Sequence, residues 1–124
     1  MKYVDGYVLV VSKKNLRAYQ KMASSAGKLW KKHGALEYYE CVGDDLTPDM
    51  GSMKTLTFYK MTKLKKSETV WFSFIIYKSK KHRDAVNAKV MKEMDKEMEK
   101  HKHEKMPFDM KRMAYGGFKV TVER

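Results

Sequence analysis

The sequence contains a single cysteine, Cys41, among 124 residues, so no disulfide can form within the chain. It has only two prolines, and no apolar run approaches the roughly 20 residues that a membrane-spanning helix needs. The opening stretch, MKYVDGYVLVV, lacks the small-residue cleavage site of a secretory signal. A lone thiol suits a reducing compartment. These absences together predict a cytoplasmic protein with no membrane partner.

Acidic residues are scarce relative to basic ones: 15 Asp and Glu stand against 27 Lys and Arg, which gives a formal net charge of +12. Such an excess can indicate an anionic partner such as nucleic acid. However, nearly all the positive residues are lysines scattered along the chain, whereas base and phosphate recognition favours arginine. We therefore favour a solvated basic surface and keep RNA or DNA binding as the alternative.

Apolar periodicity predicts four strands and two helices. The strands are rich in β-branched and aromatic residues and cover residues 3–11, 35–43, 69–77 and 111–122. The helices run from Asn15 to Gly34 and onward from Ser79, with apolar residues three or four positions apart. The segment 53–64 fits either a strand or a short helix. This order predicts one α+β domain over residues 1–124, a ferredoxin-like split βαβ with both helices on one face of an antiparallel sheet.

Two helices can cover only one face of such a sheet. The strands 3–11 and 69–77 are nevertheless apolar or aromatic at nearly every position, on both faces. A large apolar face is rare on a soluble monomer, and a two-fold dimer is its commonest remedy. We therefore predict a homodimer joined through the uncovered sheet face.

Four stretches carry a resemblance to a known family: YVDGYV, GALEYYECVGDD, VWFSFIIYKSKKHRDAVNAKVM and MPFDMKRMAYGGF. In order and spacing, the chain resembles the YbaA-like family of small bacterial proteins, a family of unknown function in the dimeric α/β-barrel superfamily. The resemblance implies a ferredoxin-like subunit whose sheet pairs with that of a second subunit to form a barrel. Heme-binding relatives in that superfamily would need an axial histidine, and no histidine falls in a predicted strand, so no cofactor is expected.

The first and last predicted strands hold the main candidate site residues. Asp5 lies in an otherwise apolar run and needs a partner. Arg112 is the natural candidate, because the first and last strands of this fold lie near one another. The pair is either a structural ion pair or a charged group at the mouth of the barrel cavity, with a pKa moved by burial. Gly116 and Gly117 indicate a bulge, close packing or contact with a ligand.

The second predicted strand places Glu40 and Cys41 on opposite faces. Glu40 is a candidate ligand-binding residue, while Cys41 is expected to be a buried, inert thiol. Asp44 and Asp45 follow the strand. They fit turn chemistry better than a metal site or an acid and base pair.

The start of the second helix offers a candidate anion site. Ser79 is expected to cap this helix, and Arg83 and Asn87 share one of its faces by their four-residue spacing. These residues either receive an anion or secure the helix end. Near the end of the helix, His101, His103 and Glu104 are interpreted as a solvated tail, and no metal site is expected.

The chain carries no catalytic triad, phosphate-binding loop or closed metal site, so the sequence leaves open whether it is an enzyme. The polar strand residues Asp5, Glu40, Arg112 and Tyr115 lie among many aromatic residues, which is how small-molecule pockets are composed. We therefore predict a small-molecule ligand in a cavity between sheet and helices. A cofactor-independent enzyme is one form of this hypothesis.

Overall fold

A computed structural model describes residues 1–100 and 105–124, so His101, His103 and Glu104 lie outside the described residues. The four strands are β1 (Tyr3–Ser12), β2 (Glu37–Val42), β3 (Glu68–Tyr77) and β4 (Ala114–Lys119). The helices are α1 (Leu16–Lys32), α2 (Phe58–Thr62) and α3 (Lys80–Lys100). Short 3₁₀ turns cover Lys13–Asn15 and Met110–Arg112.

The strands form one antiparallel sheet in the order β2-β3-β1-β4. The long helices α1 and α3 pack on the same face of this sheet. Trp30 of α1 and Val86 and Val90 of α3 form a buried cluster with Ile75 and Tyr77 of β3. The α+β ferredoxin-like topology predicted from the sequence is thereby confirmed. Within the described residues, no helix combines the length and apolar character required to cross a membrane.

The predicted helix ends are confirmed by their local contacts. Gly34, just beyond α1, has a φ of 112°, in the left-handed region that favours glycine. The Ser79 hydroxyl accepts a hydrogen bond of 3.0 Å from the backbone N–H of His82 and so caps α3. The segment that fitted either a strand or a helix contains the short helix α2. Its cap is Thr57, whose hydroxyl accepts from the backbone N–H of Lys60 at 3.2 Å.

The last strand is shorter than predicted and begins at Ala114 rather than at residue 111. The cause is the 3₁₀ turn Met110–Arg112, which Asp109 stabilises by accepting a hydrogen bond of 2.9 Å from the backbone N–H of Lys111. Arg112 therefore precedes the strand instead of alternating within it. The 3₁₀ turn therefore determines the direction of the Arg112 side chain.

The sheet face opposite the helices is apolar and partly exposed. Alternation along the strands assigns to it Val4, Gly6, Val8, Tyr39, Phe72, Phe74, Gly116 and Phe118, here called the open face. Phe72 is 43% exposed and Phe118 is 60% exposed. A groove of about 580 Å³ runs along this face, and the paired glycines Gly6 and Gly116 contribute to its floor.

Candidate ligand-binding site

A cavity of about 170 Å³ lies between the sheet and the two long helices, here called the helix-side cavity. Its lining comes from β1, β2, β3, both long helices and the segment before β4. Most of the lining is apolar and is supplied by methionine and aromatic side chains. Two polar residues stand in this lining apart from the aromatic hydroxyls: Glu40 of β2 and Ser73 of β3. Cross-strand pairing sets these two residues opposite each other, so they lie on the same face of the sheet.

The Glu40 carboxylate is held by two tyrosines. The Tyr19 hydroxyl, from α1, donates to Oε1 at 2.9 Å, and the Tyr38 hydroxyl, from β2, donates to Oε2 at 2.5 Å. Burial raises the pKa of Tyr19, and the charge of Glu40 raises it further. Burial likewise raises the pKa of Tyr38, as does its hydrogen bond to Glu40. Both hydroxyls therefore stay neutral donors at physiological pH and fix the carboxylate in position.

The carboxylate retains capacity to bind something else. Two carboxylate oxygens offer about four acceptor positions, of which the tyrosines use two. Among the residues that the structure describes, no lysine, arginine or histidine forms an ion pair with Glu40. A molecule in the cavity can therefore donate hydrogen bonds to an oriented acceptor.

Asp5 is fully buried, and its partner is Arg83 rather than Arg112. Nη1 of Arg83 donates to Oδ1 of Asp5 at 2.7 Å, and the Tyr115 hydroxyl lies 3.3 Å from Oδ2. The Arg83 guanidinium also lies over the Tyr3 ring, 4.9 Å from its centroid. The pairing with Arg112 expected from the sequence is wrong, because the first turns of α3 bring Arg83 onto the buried position of β1.

Arg112 makes a separate set of contacts. Its Nη1 and Nη2 atoms donate to both carboxylate oxygens of Glu68, and its Nε donates to Asp109 at 2.8 Å. Nη1 also donates to the backbone carbonyls of Thr62 at 3.2 Å and Lys63 at 3.1 Å. Arg112 thus joins the end of α2 to the start of β3 and to the turn before β4. It is not among the residues that line the helix-side cavity.

Replacing Arg112 with methionine is expected to lower the free energy of unfolding at pH 7 by about 1.5 to 3 kcal/mol, because charged hydrogen bonds to Glu68 are lost. Hydrogen bonding to Arg112 lowers the pKa of Glu68 in the folded chain. The pair therefore stabilises fully above the pKa of an unfolded-state glutamate, and this stabilisation is lost as pH falls through the folded pKa. Urea unfolding at pH 7 and at about pH 3 checks this. A gap between variant and wild type that does not shrink in acid would contradict it.

The two glycines of β4 differ in their surroundings. A Cβ atom added at Gly117 would lie 2.7 Å from Cε2 of Tyr3, so close packing accounts for this glycine. At Gly116 the nearest atoms to an added Cβ are those of the Phe118 ring at 3.7 Å, an ordinary contact distance. Pairing between β1 and β4 is continuous from Tyr3 to Val8, so no bulge interrupts it.

The side chains proposed for an anion site are engaged with other residues of the chain. Ser79 caps α3, and Arg83 binds Asp5 and also Asp84. The Asn87 side-chain oxygen accepts from Nε1 of Trp30 at 3.0 Å and from the Tyr77 hydroxyl at 3.1 Å. These contacts secure the start of α3 against the sheet. Anion binding there stays a prediction.

The remaining candidates on and after β2 have simple local roles. Cys41 is exposed on the open-face side of β2, so the expected burial of its thiol within the single chain is wrong. Asp45 accepts a hydrogen bond of 3.3 Å from the backbone N–H of Thr47, as expected for a turn. Over residues 1–100 and 105–124, no group of three or more potential metal ligands lies together.

Glu40 was predicted from the sequence, but the side chains around it were not. Tyr19 of α1, Ser73 of β3 and the methionines join it only through the packing of the helices on the sheet. One signal was present in the sequence: Tyr38 and Glu40 are two residues apart on a strand, so they share a face.

Fold and site together define an α+β protein of ferredoxin-like topology with a small polar-centred cavity beneath its helices. A family model described as a protein of unknown function, DUF1428, matches residues 2–110, and the chain belongs to this family. It is 45% identical over 123 residues to uncharacterized protein YbaA of Escherichia coli strain K12, with 99% of each chain covered. The YbaA protein of Shigella flexneri matches equally. The resemblance to the YbaA-like family of unknown function is confirmed.

Among solved structures, a de novo designed protein, Foldit4, aligns over 100% of both chains with a TM-score of 0.46 and 11% sequence identity.

Proposed function

We propose that this protein binds a small organic molecule in the helix-side cavity. One observation carries the proposal: Glu40, held by two neutral tyrosine hydroxyls, presents an oriented carboxylate to a mostly apolar cavity. Small-molecule sites have this composition, with mostly apolar walls and a few placed polar groups. A carboxylate beside hydroxyl donors can also transfer protons, so a cofactor-independent reaction is the enzymatic form of the same proposal.

Of the charged groups selected from the sequence, Glu40 is the one best suited to a ligand. Asp5 is fully buried and bonded to Arg83, and Arg112 is occupied by Glu68 and Asp109. Opening the buried Asp5–Arg83 pair for a ligand would leave a charge without its partner, at a cost of several kcal/mol. Opening the partly exposed Arg112–Glu68 pair would lose charged hydrogen bonds that contribute about 1.5 to 3 kcal/mol. We therefore assign both ion pairs to stability and the cavity around Glu40 to binding.

We also propose that two copies of the chain join through the open face to form a homodimer. The support is the exposed aromatic surface on the side of the sheet that α1 and α3 leave uncovered. Tyr39 and Phe74 lie 5.0 Å apart between ring centroids, and Phe72 and Phe74 lie 5.6 Å apart. This continuous aromatic strip extends along a groove, and burying it against an identical face removes apolar area from water.

Nucleic-acid binding has weaker support. The chain has four arginines, and two of them, Arg83 and Arg112, direct their guanidinium groups into ion pairs with carboxylates of the same chain. Planar guanidinium forks are the groups that best recognise phosphates and bases. The positive charge is therefore mainly lysine charge, which favours nonspecific, salt-sensitive contacts.

A thermal-shift screen of small organic molecules tests the proposed cavity. Replacing Ala26 with leucine fills the cavity from α1, because Ala26 contributes to its lining. Compounds that raise the melting temperature of the wild-type protein are expected to lose this effect on Ala26→Leu. The matched control is Ala18→Leu, at an exposed position of the same helix outside this lining. Compounds are expected to raise the melting temperature of this control as they do for the wild type. If compounds stabilise both variants alike, binding occurs elsewhere and the proposal fails.

A further inference from the structure

The helix-side cavity has an uneven distribution of charge. Glu40 is the one formally charged side chain among the described residues that line it, and no cationic side chain joins it there. Glu40 is half-buried, and a ligand that fills the cavity would displace water from its carboxylate, which is costly unless an opposite charge or sufficient hydrogen bonds replace the lost hydration. Tyr19 and Tyr38 supply two neutral donors. A positively charged ligand would supply the opposite charge that the lining lacks.

The other side chains of the lining also favour a positively charged ligand. Five aromatic rings contribute to the cavity wall: Tyr7, Tyr19, Trp30, Tyr38 and Phe108. The faces of aromatic rings carry negative potential, which attracts cations and repels anions. Four methionines, Met22, Met94, Met106 and Met113, add flexible, polarisable thioethers that adapt to small alkyl groups.

The volume of the cavity limits the size of the ligand. A volume of about 170 Å³ corresponds to roughly five or six water molecules at about 30 Å³ each. This is below the range of roughly 300 to 1,000 Å³ typical of pockets for drug-sized ligands. The occupant is therefore a small head group or a short alkyl amine rather than an extended molecule.

The net charge of +12 does not prevent a cationic ligand from binding in the cavity. No lysine or arginine belongs to the described lining, so the positive charges lie outside the cavity. At physiological ionic strength, exposed charges are largely screened beyond about 8 Å. The carboxylate and the aromatic side chains that line the cavity therefore dominate the selection of its ligand.

We propose that the helix-side cavity selects a small organic cation, an alkyl or quaternary ammonium group, with Glu40 as its counter-ion. This inference rests on the proposed function and adds the chemical class of the ligand. The aromatic side chains of the lining contact the alkyl groups of the cation, and the carboxylate supplies the opposite charge.

Two probes of nearly identical shape test the charge requirement. Choline carries a quaternary nitrogen where 3,3-dimethyl-1-butanol carries a neutral carbon. Both are titrated into the ¹⁵N-labelled protein, and the backbone amides of Glu40 and Ser73 are followed by NMR. We expect choline to bind the wild-type protein at least about tenfold more tightly, because a charged contact contributes about 1.4 kcal/mol or more. This comparison needs no variant, so a folding defect cannot obscure it.

The variant Glu40→Gln removes the charge and keeps one acceptor oxygen for the tyrosines, while its NH2 can donate to the oxygen of the other tyrosine hydroxyl. It is expected to lose the preference for choline, with affinities for the two probes within about threefold of each other. The matched control is Glu37→Gln, at an exposed position on β2 outside the cavity lining, which keeps the preference.

Equal affinity of the wild-type protein for both probes would overturn the cation proposal and leave a neutral small-molecule site standing. Absence of binding by both probes would also overturn it. In that case the thermal-shift screen against Ala26→Leu decides independently whether the cavity binds molecules of another class.

Discussion

Replacing Arg83 with methionine is expected to lower the free energy of unfolding by about 3 to 5 kcal/mol. The change leaves Asp5, which has 0% exposure, without its ion-pair partner. The Tyr115 hydroxyl, 3.3 Å from Asp5, is a weaker neutral donor and cannot offset a buried charge. The contact of the guanidinium with the Tyr3 ring is lost as well. Urea unfolding at pH 7, monitored by circular dichroism, measures the change.

Two comparisons distinguish this effect from simple loss of an arginine. Arg17→Met removes an exposed arginine from α1 and is expected to change the free energy of unfolding by less than about 0.5 kcal/mol. The double variant Asp5→Asn with Arg83→Met removes both charges and is expected to recover part of the stability, since no unpaired charge stays buried. A loss below about 1 kcal/mol for Arg83→Met would show that the pair contributes little.

Replacing Phe72 with glutamate is expected to raise the dissociation constant of the proposed homodimer by roughly 100-fold or more. Phe72 lies on the central strand β3, on the open face, and is 43% exposed in the single chain. Burying a glutamate there against an identical copy removes charge from water without a partner. It also brings two like charges into one interface, which costs several kcal/mol. Sedimentation velocity over a range of micromolar concentrations measures the shift from dimer to monomer.

The matched control for this variant is Met91→Glu. Met91 is 46% exposed on α3, on the other side of the sheet, so the same charge enters a surface of similar exposure outside the proposed interface. We expect this protein to sediment as the wild type does. A wild-type protein that stays monomeric and folded at these concentrations would refute the homodimer.

The strand and helix pattern was predictable because it depends on local periodicity. Residues alternate between the two faces along β1 and β3, and apolar residues recur every three or four positions along α1. This periodicity indicates which side of each element is buried. The same reasoning identified Asp5 as a buried group in need of a partner. The identity of that partner was not local: Arg83 is 78 residues away and reaches Asp5 only because of how α3 packs on the sheet.

Arg112 was misassigned for a different reason. Alternation from residue 111 presumed an extended backbone, but Asp109 accepts a hydrogen bond from the following turn and favours a 3₁₀ conformation. One short turn before β4 thus changes the direction of the arginine side chain. In the cavity, Glu40 was selected from the sequence, but the approach of Tyr19 depends on the packing of α1 against β2.

The most direct test of the central claim, binding in the helix-side cavity, uses the methionines as reporters. The chain has 11 methionines, and four of them, Met22, Met94, Met106 and Met113, line the cavity. With ¹³C-labelled methionine methyl groups, a bound small molecule is expected to shift these four signals. The signals of the exposed Met50, Met53 and Met61 are expected to stay in place. Shifts confined to methionines outside the cavity would contradict the account.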